Sequence, residues 1–360
     1  MDNSLISSQR LQNLRMVNSN LKTPAEVVHW LGAVQSQDFA GAKWSLGLRL
    51  PNSTEGMIEK AFNEGAILRT HLMRPTWHFV TPKDIRWLLE LTAPRVHAAS
   101  SYMIRKESLD AKTFKRSNAA MEKALQGGKQ LTRDELRDAL TKARIITEGD
   151  QRMTYLMMQA ELDGVVFSGP RKGKQFTYML LEERAPAVRK LSRDEALVEL
   201  TDRYFTSRGP ATSQDFAKWS GLTIADAKKG LEAIKSNLQN EVIEGQVYWF
   251  VEQEKTVKIK SPAVHLLSIF DEYISSYKDR SAMDTFQYAD KLKLLGNALL
   301  YIVTIDGQVA GTWKRTLEKQ EVIIKPDFFL RHKKNEKEAF LQTAEEYGKF
   351  LGFPIRIEFK

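Results

Sequence analysis

The sequence predicts an α+β protein: a unit of helices closed by a β-ribbon, the order of a winged helix-turn-helix, occurs three times in tandem before a C-terminal mixed, β-barrel-like domain. Three observations carry this. Apolar residues recur at helical spacing behind strong N-terminal caps, as at Thr23-Pro24-Ala25-Glu26 and Thr132-Arg133-Asp134-Glu135. Each helical set runs into two alternating stretches joined by turn residues. After about residue 259 the pattern changes to short strands around the hairpin turn Asp306-Gly307.

In the first unit, residues 1–105, the spacing predicts helices over Leu5 to Val17, from Thr23, from about Phe39 and over Thr54 to Asn63. A hairpin over Ile67 to Thr81 turns at Met73-Arg74-Pro75, which puts a cationic residue at its tip. A long helix through Ile85, Leu88, Leu91 and Val96 leads onward. The second unit, residues 106–191, has helices over Phe114 to Leu125, from Thr132 and over Asp150 to Leu162. Its ribbon pairs Val165-Val166-Phe167 with Gln175-Phe176-Thr177-Tyr178 around a loop holding Arg171, Lys172 and Lys174 and no acid. The third, residues 192–258, opens near Ser192, breaks at Gly209-Pro210, starts a helix at Thr212 that Gly221 ends, has another over Thr223 to Lys235, and closes on a ribbon over Val242 to Phe250 that turns at Glu244-Gly245. The fourth region, residues 259–360, predicts strands over Val264 to Ile269, Leu299 to Ile305, Val309 to Trp313 and Glu321 to Ile324. A helix over Lys334 to Phe350 and a last strand over Pro354 to Phe359 follow. The three units share order rather than obvious sequence identity.

Composition narrows the function. Across 360 residues, 54 Lys and Arg against 45 Asp and Glu give a net charge of +9, which favours an anionic partner. With no cysteine and six scattered histidines at no zinc-binding spacing, neither a disulfide framework nor a metal site is expected, and nothing calls for a cofactor. No run approaches membrane-spanning length and the N-terminus has no export pattern, so a cytoplasmic place is expected, nucleoid-associated if the anionic partner is DNA; three different wings in one chain would make a self-contained monomer.

The residue pattern most suggestive of chemistry is Gln35-Ser36-Gln37-Asp38, a polar insertion between two apolar stretches. It joins other blocks in a family likeness: Arg69-Thr70 through Arg74-Pro75-Thr76-Trp77-His78, Gly209-Pro210-Ala211-Thr212 through Trp219-Ser220-Gly221-Leu222, Phe270-Asp271-Glu272-Tyr273 to Tyr277-Lys278-Asp279-Arg280, and Gly307 through Gly311-Thr312-Trp313. On these the chain resembles the winged-helix DNA-binding proteins that include the AlkZ/YcaQ-like DNA glycosylases. The resemblance implies tandem winged helices around a concave basic surface, double-stranded DNA as partner, with or without a lesion, and removal of alkylated or crosslinked purines by a monofunctional glycosylase. It also implies that Gln35 and Gln37, at the positions of a Gln-x-Gln motif, place the hydrolytic water.

The chemistry of those residue types allows this. A carboxamide cannot take a proton at neutral pH, but its oxygen accepts and its NH2 donates, which fixes a water beside a leaving group that is already cationic. The alternative is that Gln35 and Gln37 satisfy backbone groups at a helix end. Asp38 either stabilises positive charge on the sugar or caps the next helix. In the first ribbon, strand parity sets Arg69 with His71 and Thr76 with His78. Arg69, Arg74, Thr76, Trp77 and His78 are expected to meet DNA there, with Arg74 on a phosphate and Trp77 as a wedge or a core residue. Arg171, Lys172 and Lys174 are further phosphate contacts, and Asp271 or Glu272 is the alternative acid/base carboxylate. A non-catalytic winged-helix binder or regulator is the competing function.

Overall fold

A computed structural model describes residues 3–149, 151–185, 190–252, 259–284 and 301–359. The first part comprises α1 (Asn3–Asn13), α2 (Pro24–Leu31), β1 (Val34–Gln35), α3 (Phe39–Gly47), α4 (Glu55–Glu64), β2 (Leu68–Leu72), β3 (Thr76–Val80) and α5 (Ile85–Lys106). Thr23 caps α2 and Thr54 caps α4 through their hydroxyls, each accepting from the third residue of its helix. Helix α1 stops four residues short of the expected Val17, because Arg15 and Asn18 take left-handed backbone angles (φ 57° and 53°) that no helix continues through. The polar insertion begins in a strand and leaves it after Gln35. Val34 and Gln35 form a short third strand on the expected hairpin, in the order β1-β3-β2.

The second part contains α6 (Ala111–Leu125), β4 (Leu131–Thr132), α7 (Arg133–Lys142), α8 (Arg152–Leu162), β5 (Val166–Ser168), β6 (Thr177–Leu180) and α9 (Leu181–Arg184). The Thr132 capping box forms as the sequence predicts, with Glu135 reaching back to the Thr132 N–H. The expected helix start at Asp150 lies outside the described residues. The third part runs α10 (Arg193–Arg208), α11 (Ser213–Ser220), α12 (Ile224–Ile234), β7 (Gln239–Ile243) and β8 (Gln246–Phe250). Ser192, Thr212 and Thr223 each close a capping box, and Glu244-Gly245 turns the ribbon with both φ angles positive.

The C-terminal part is a mixed five-stranded sheet in the order β13-β12-β11-β10-β9, made of β9 (Val264–Leu267), β10 (Ile302–Ile305), β11 (Gln308–Leu317), β12 (Val322–Phe328) and β13 (Ile355–Ile357). Its pairs are antiparallel except β12 with β13. Among the described residues the sheet is open, with β9 and β13 at its edges, and the C-terminal helix Lys334–Leu351 lies against β9. The expected start of a strand at Leu299 lies outside the described residues. A single turn, α13 (Glu272–Ser275), follows β9.

Packing divides the chain differently from its order. One apolar core runs through the first, third and C-terminal parts, joining Leu31, Phe62 and Phe79 to Tyr204, Trp219, Leu266 and Trp313, and takes in Met158, Phe167 and Met179 from the second. A smaller core, Leu109 to Leu180, belongs to the second part alone. Sheet β1-β3-β2 lies where these parts meet.

Candidate active site

Because β3 is the central strand, its register decides which side chains share a face. Gln35 and Thr70 both pair with His78, so these three point one way. Arg69 and His71 pair with Phe79 and Trp77 and point the other.

On the first face Gln35 is 7% exposed and both ends of it are held. Its N–H donates to Glu272 Oε1 (2.9 Å), and its side-chain oxygen accepts from Arg74 Nη2 (2.9 Å). Glu272 is wholly buried and accepts from Arg208 Nη2 (2.7 Å), Trp219 Nε1 (3.0 Å) and Ser276 Oγ (2.8 Å). Burial raises the Glu272 pKa, but the Arg208 charge and these donors outweigh it and hold the carboxyl at about 2. His78 is fully buried. Its Nδ1 lies 3.0 Å from the Thr76 carbonyl, which only accepts, so Nδ1 carries the proton and Nε2 a lone pair. Burial, followed by the Arg74 charge, pushes its pKa down to about 3, so the ring is neutral.

On the second face Arg69, 4% exposed, donates through Nε and Nη2 to the Ser36 carbonyl (3.2 and 3.1 Å), while the Ser36 N–H donates to Trp77 O (2.7 Å). Its guanidinium stacks on Trp77 (4.5 Å) and Phe176 (4.6 Å). Arg171 stacks on the same Phe176 (4.4 Å) and on Phe39 (5.1 Å). The loop of the β5–β6 hairpin is thereby fastened, through Arg69, to the Ser36 peptide between the two glutamines.

Gln37 follows this clamped peptide and is exposed. Its oxygen accepts from the Trp77 N–H (3.3 Å), and its NH2 makes no hydrogen bond among the described residues. Asp38 stands at the N-cap of α3 but makes no capping bond; its Oδ2 accepts from the Tyr301 hydroxyl (3.0 Å). A Cβ on Gly41 would lie 3.0 Å from that oxygen and 3.2 Å from Ser268 Cβ, so glycine keeps the space beside the carboxylate.

Several expected positions need correcting. Arg74 is not a tip projecting into solvent: the turn bends back, with Met73 at φ 61°, and the half-buried guanidinium reaches Gln35 and lies 3.5 Å from Lys218 O. Arg69 and His78 are interior parts of the sheet rather than surface contacts, because β1 and the β5–β6 loop cover them. Thr76 is half-buried, and its hydroxyl is enclosed. Trp77 is held between Arg69 and His71 (ring centroids 4.2 Å apart) instead of standing free as a wedge. Lys172 and Lys174 are exposed as expected, whereas Arg171 folds onto aromatic rings. Asp271 is no free base: Arg49 grips it at 2.9 Å through both terminal nitrogens and Ser45 donates at 2.7 Å, all buried.

A family model described as "DNA glycosylase AlkZ-like" matches residues 28–350. The chain belongs to the AlkZ-like DNA glycosylases. It is 22% identical over 332 residues to an interstrand DNA cross-link repair glycosylase of Streptomyces sahachiroi, covering 88% of each chain. The solved structure of the Streptomyces sahachiroi DNA glycosylase AlkZ superposes with a TM-score of 0.82 at 21% identity, over 99% of this chain and 100% of that one. This AlkZ-like chain therefore shares the fold nearly end to end.

The AlkZ-like fold also brings in residues that sequence reasoning passed over. Arg208 and Trp219 lie 170 and more positions beyond Gln35 yet complete the Glu272 network, and Tyr301 reaches Asp38 from 263 positions away. Local spacing carries no sign of such pairings. Acid should weaken this AlkZ-like glycosylase from a calculable point. His78 and His265 are held neutral by burial, at about 3 and about 4, against 6.5 when exposed. The unfolded chain takes up protons below about 6.5 that the folded chain refuses, so their stability contribution is complete above that pH and is lost as the pH falls towards 4. Urea midpoints measured from pH 7.5 to 4.5 should decline, and His78→Gln should flatten the decline. Equal slopes in wild type and variant would contradict the neutral buried ring.

Proposed function

We propose that this chain is a monofunctional DNA glycosylase that hydrolyses the N-glycosidic bond of alkylated or crosslinked purines in double-stranded DNA. What supports it most is the Gln35-Ser36-Gln37 segment. Its backbone is fastened by Glu272, Arg69 and Trp77, while the Gln37 carboxamide faces solvent with its NH2 unengaged. The alternative reading has some substance, since the Gln37 oxygen does accept a backbone N–H. That donor lies on β3 and not at a helix end, and a second lone pair and both NH2 protons are left for a water.

In this mechanism Gln37 holds the water at the sugar, and Gln35 fixes the strand and Arg74. Asp38, pulled from its capping role by Tyr301, faces the positive charge that develops as the base departs. A cationic alkylpurine leaves without protonation, so a neutral amide that holds the water suffices. Single-turnover release from duplexes bearing N7-alkylguanine or an alkyl crosslink tests this. Binding with no release from either, together with selection of a defined palindrome, would replace it by the regulatory function.

The boundaries 1–105, 106–191, 192–258 and 259–360, the first three as winged helix-turn-helix units, fit the three helix-then-ribbon orders. DNA would lie along the face carrying the β5–β6 loop. Replacing Lys172 and Lys174 together by glutamine should weaken binding alike for all sequences and lower the salt slope by about two. Unchanged low-salt affinity would remove that loop from the interface.

A further inference from the structure

Three cations meet at the edge of the candidate site, and among the described residues none is joined to a carboxylate by an ion pair. Arg74 comes from the β2–β3 turn, Lys218 from the last turn of α11 and Arg280 from the segment after α13. Their frame is tight. Gly221, left-handed at φ 72°, ends α11 so close to the turn that a Cβ there would lie 2.5 Å from Met73 O. Backbone carbonyls aim the three groups: Lys218 Nζ donates to Tyr277 O (2.7 Å), Arg280 Nε to Ile274 O (3.1 Å), and Arg74 Nη1 lies 3.5 Å from Lys218 O.

The nearby acids are occupied elsewhere. Glu272 is bonded to Arg208, and Asp215 accepts from the backbone of Thr212, Lys278 and Asp279. Asp279 accepts from Tyr248, Gln246 and Ser281. Among the described residues none of the three cations makes an ion pair. Burial first, then the charges of Arg280 and Arg74, pull the Lys218 ammonium down to about 8 against the opposing pull of Asp215.

We propose that Arg74, Lys218 and Arg280 form a seat for one phosphodiester of the bound strand, beside the nucleotide whose base is removed. Its place next to that nucleotide rests on the glycosylase function above; its anion chemistry does not. Two guanidiniums offer forked donors that match the two free oxygens of a diester, and an ammonium adds a point charge. The hydrogen bond from Arg74 to Gln35 ties the seat to the candidate site, so a phosphate bound there sets the strand's position relative to Gln37.

Equilibrium binding of the full chain to a duplex with a tetrahydrofuran abasic analogue tests the seat without requiring turnover. Single phosphates flanking the analogue are replaced in turn by neutral methylphosphonates. Lys218→Gln and Arg280→Gln are compared with wild type, and their thermal melts establish folding. Each variant is expected to bind roughly tenfold more weakly with a salt slope lower by about one. One methylphosphonate position should cost wild type a similar factor and cost Arg280→Gln almost nothing more. Losses that multiply independently at every flanking phosphate, or variants that bind as wild type does, overturn the seat. If wild type releases no alkylated base but the coupling between Arg280 and one phosphate is measured, the seat stands and the glycosylase function falls.

Discussion

Gln37→Ala is expected to slow base release from an N7-alkylguanine duplex by roughly ten- to a thousandfold under single-turnover conditions, the range for losing a group that positions a reactant. Its melting temperature and duplex affinity should stay near wild type. The side chain is exposed, and among the described residues its hydrogen bond is one long acceptance from the Trp77 N–H (3.3 Å), so little folding energy resides in it. Gln35→Ala should behave differently. That side chain is buried and orients Arg74, so its removal should cost about 1–3 kcal/mol of stability as well as rate. Melts and release measured on one preparation separate these effects. Undiminished release in both variants would remove the glutamines from the mechanism and turn attention to Asp38.

The largest effect on folding is expected from Glu272→Ala. It leaves the Arg208 guanidinium buried without its anion and strips partners from Trp219, Ser276 and the Gln35 N–H together. Removing one member of a buried ion pair costs about 3–5 kcal/mol, a large share of the roughly 5–15 kcal/mol that holds a typical domain folded. Pairing the change with Arg208→Met should recover part of the loss, because the stranded charge is gone as well. Urea unfolding of the two single variants and the double variant measures the coupling. A single-variant loss under about 1 kcal/mol would show that the pair does not fasten β1 to α10 and α13.

How much of this was legible in the sequence follows from the range of each interaction. Capping boxes at Thr132, Ser192, Thr212 and Thr223, and the turns at Glu244-Gly245 and Asp306-Gly307, are bonds or backbone angles set within three or four residues. The side chains that make them are neighbours in the sequence, and the helices and ribbons formed close to where the pattern put them. The strand at Val34-Gln35 was missed because two residues have no readable period. They become a strand only by pairing with Phe79 and His78, more than 40 positions away.

The site divides the same way. The sequence by itself determined the residue types at the candidate centre, two carboxamides and a carboxylate in a row, and through the strand's two-residue period it determined that Arg69 lies with His71 and Thr76 with His78. Only the tertiary structure decided what those types can do. Burial turned Arg69 and His78 from expected DNA contacts into a stacked strut and a neutral ring. The return of the β2–β3 turn against α11 drew Arg74 from a tip to Gln35, and Arg49 and Arg208 engaged both acidic candidates. Charge, reach and exposure belong to a side chain's surroundings, and those surroundings come from segments up to 263 positions away.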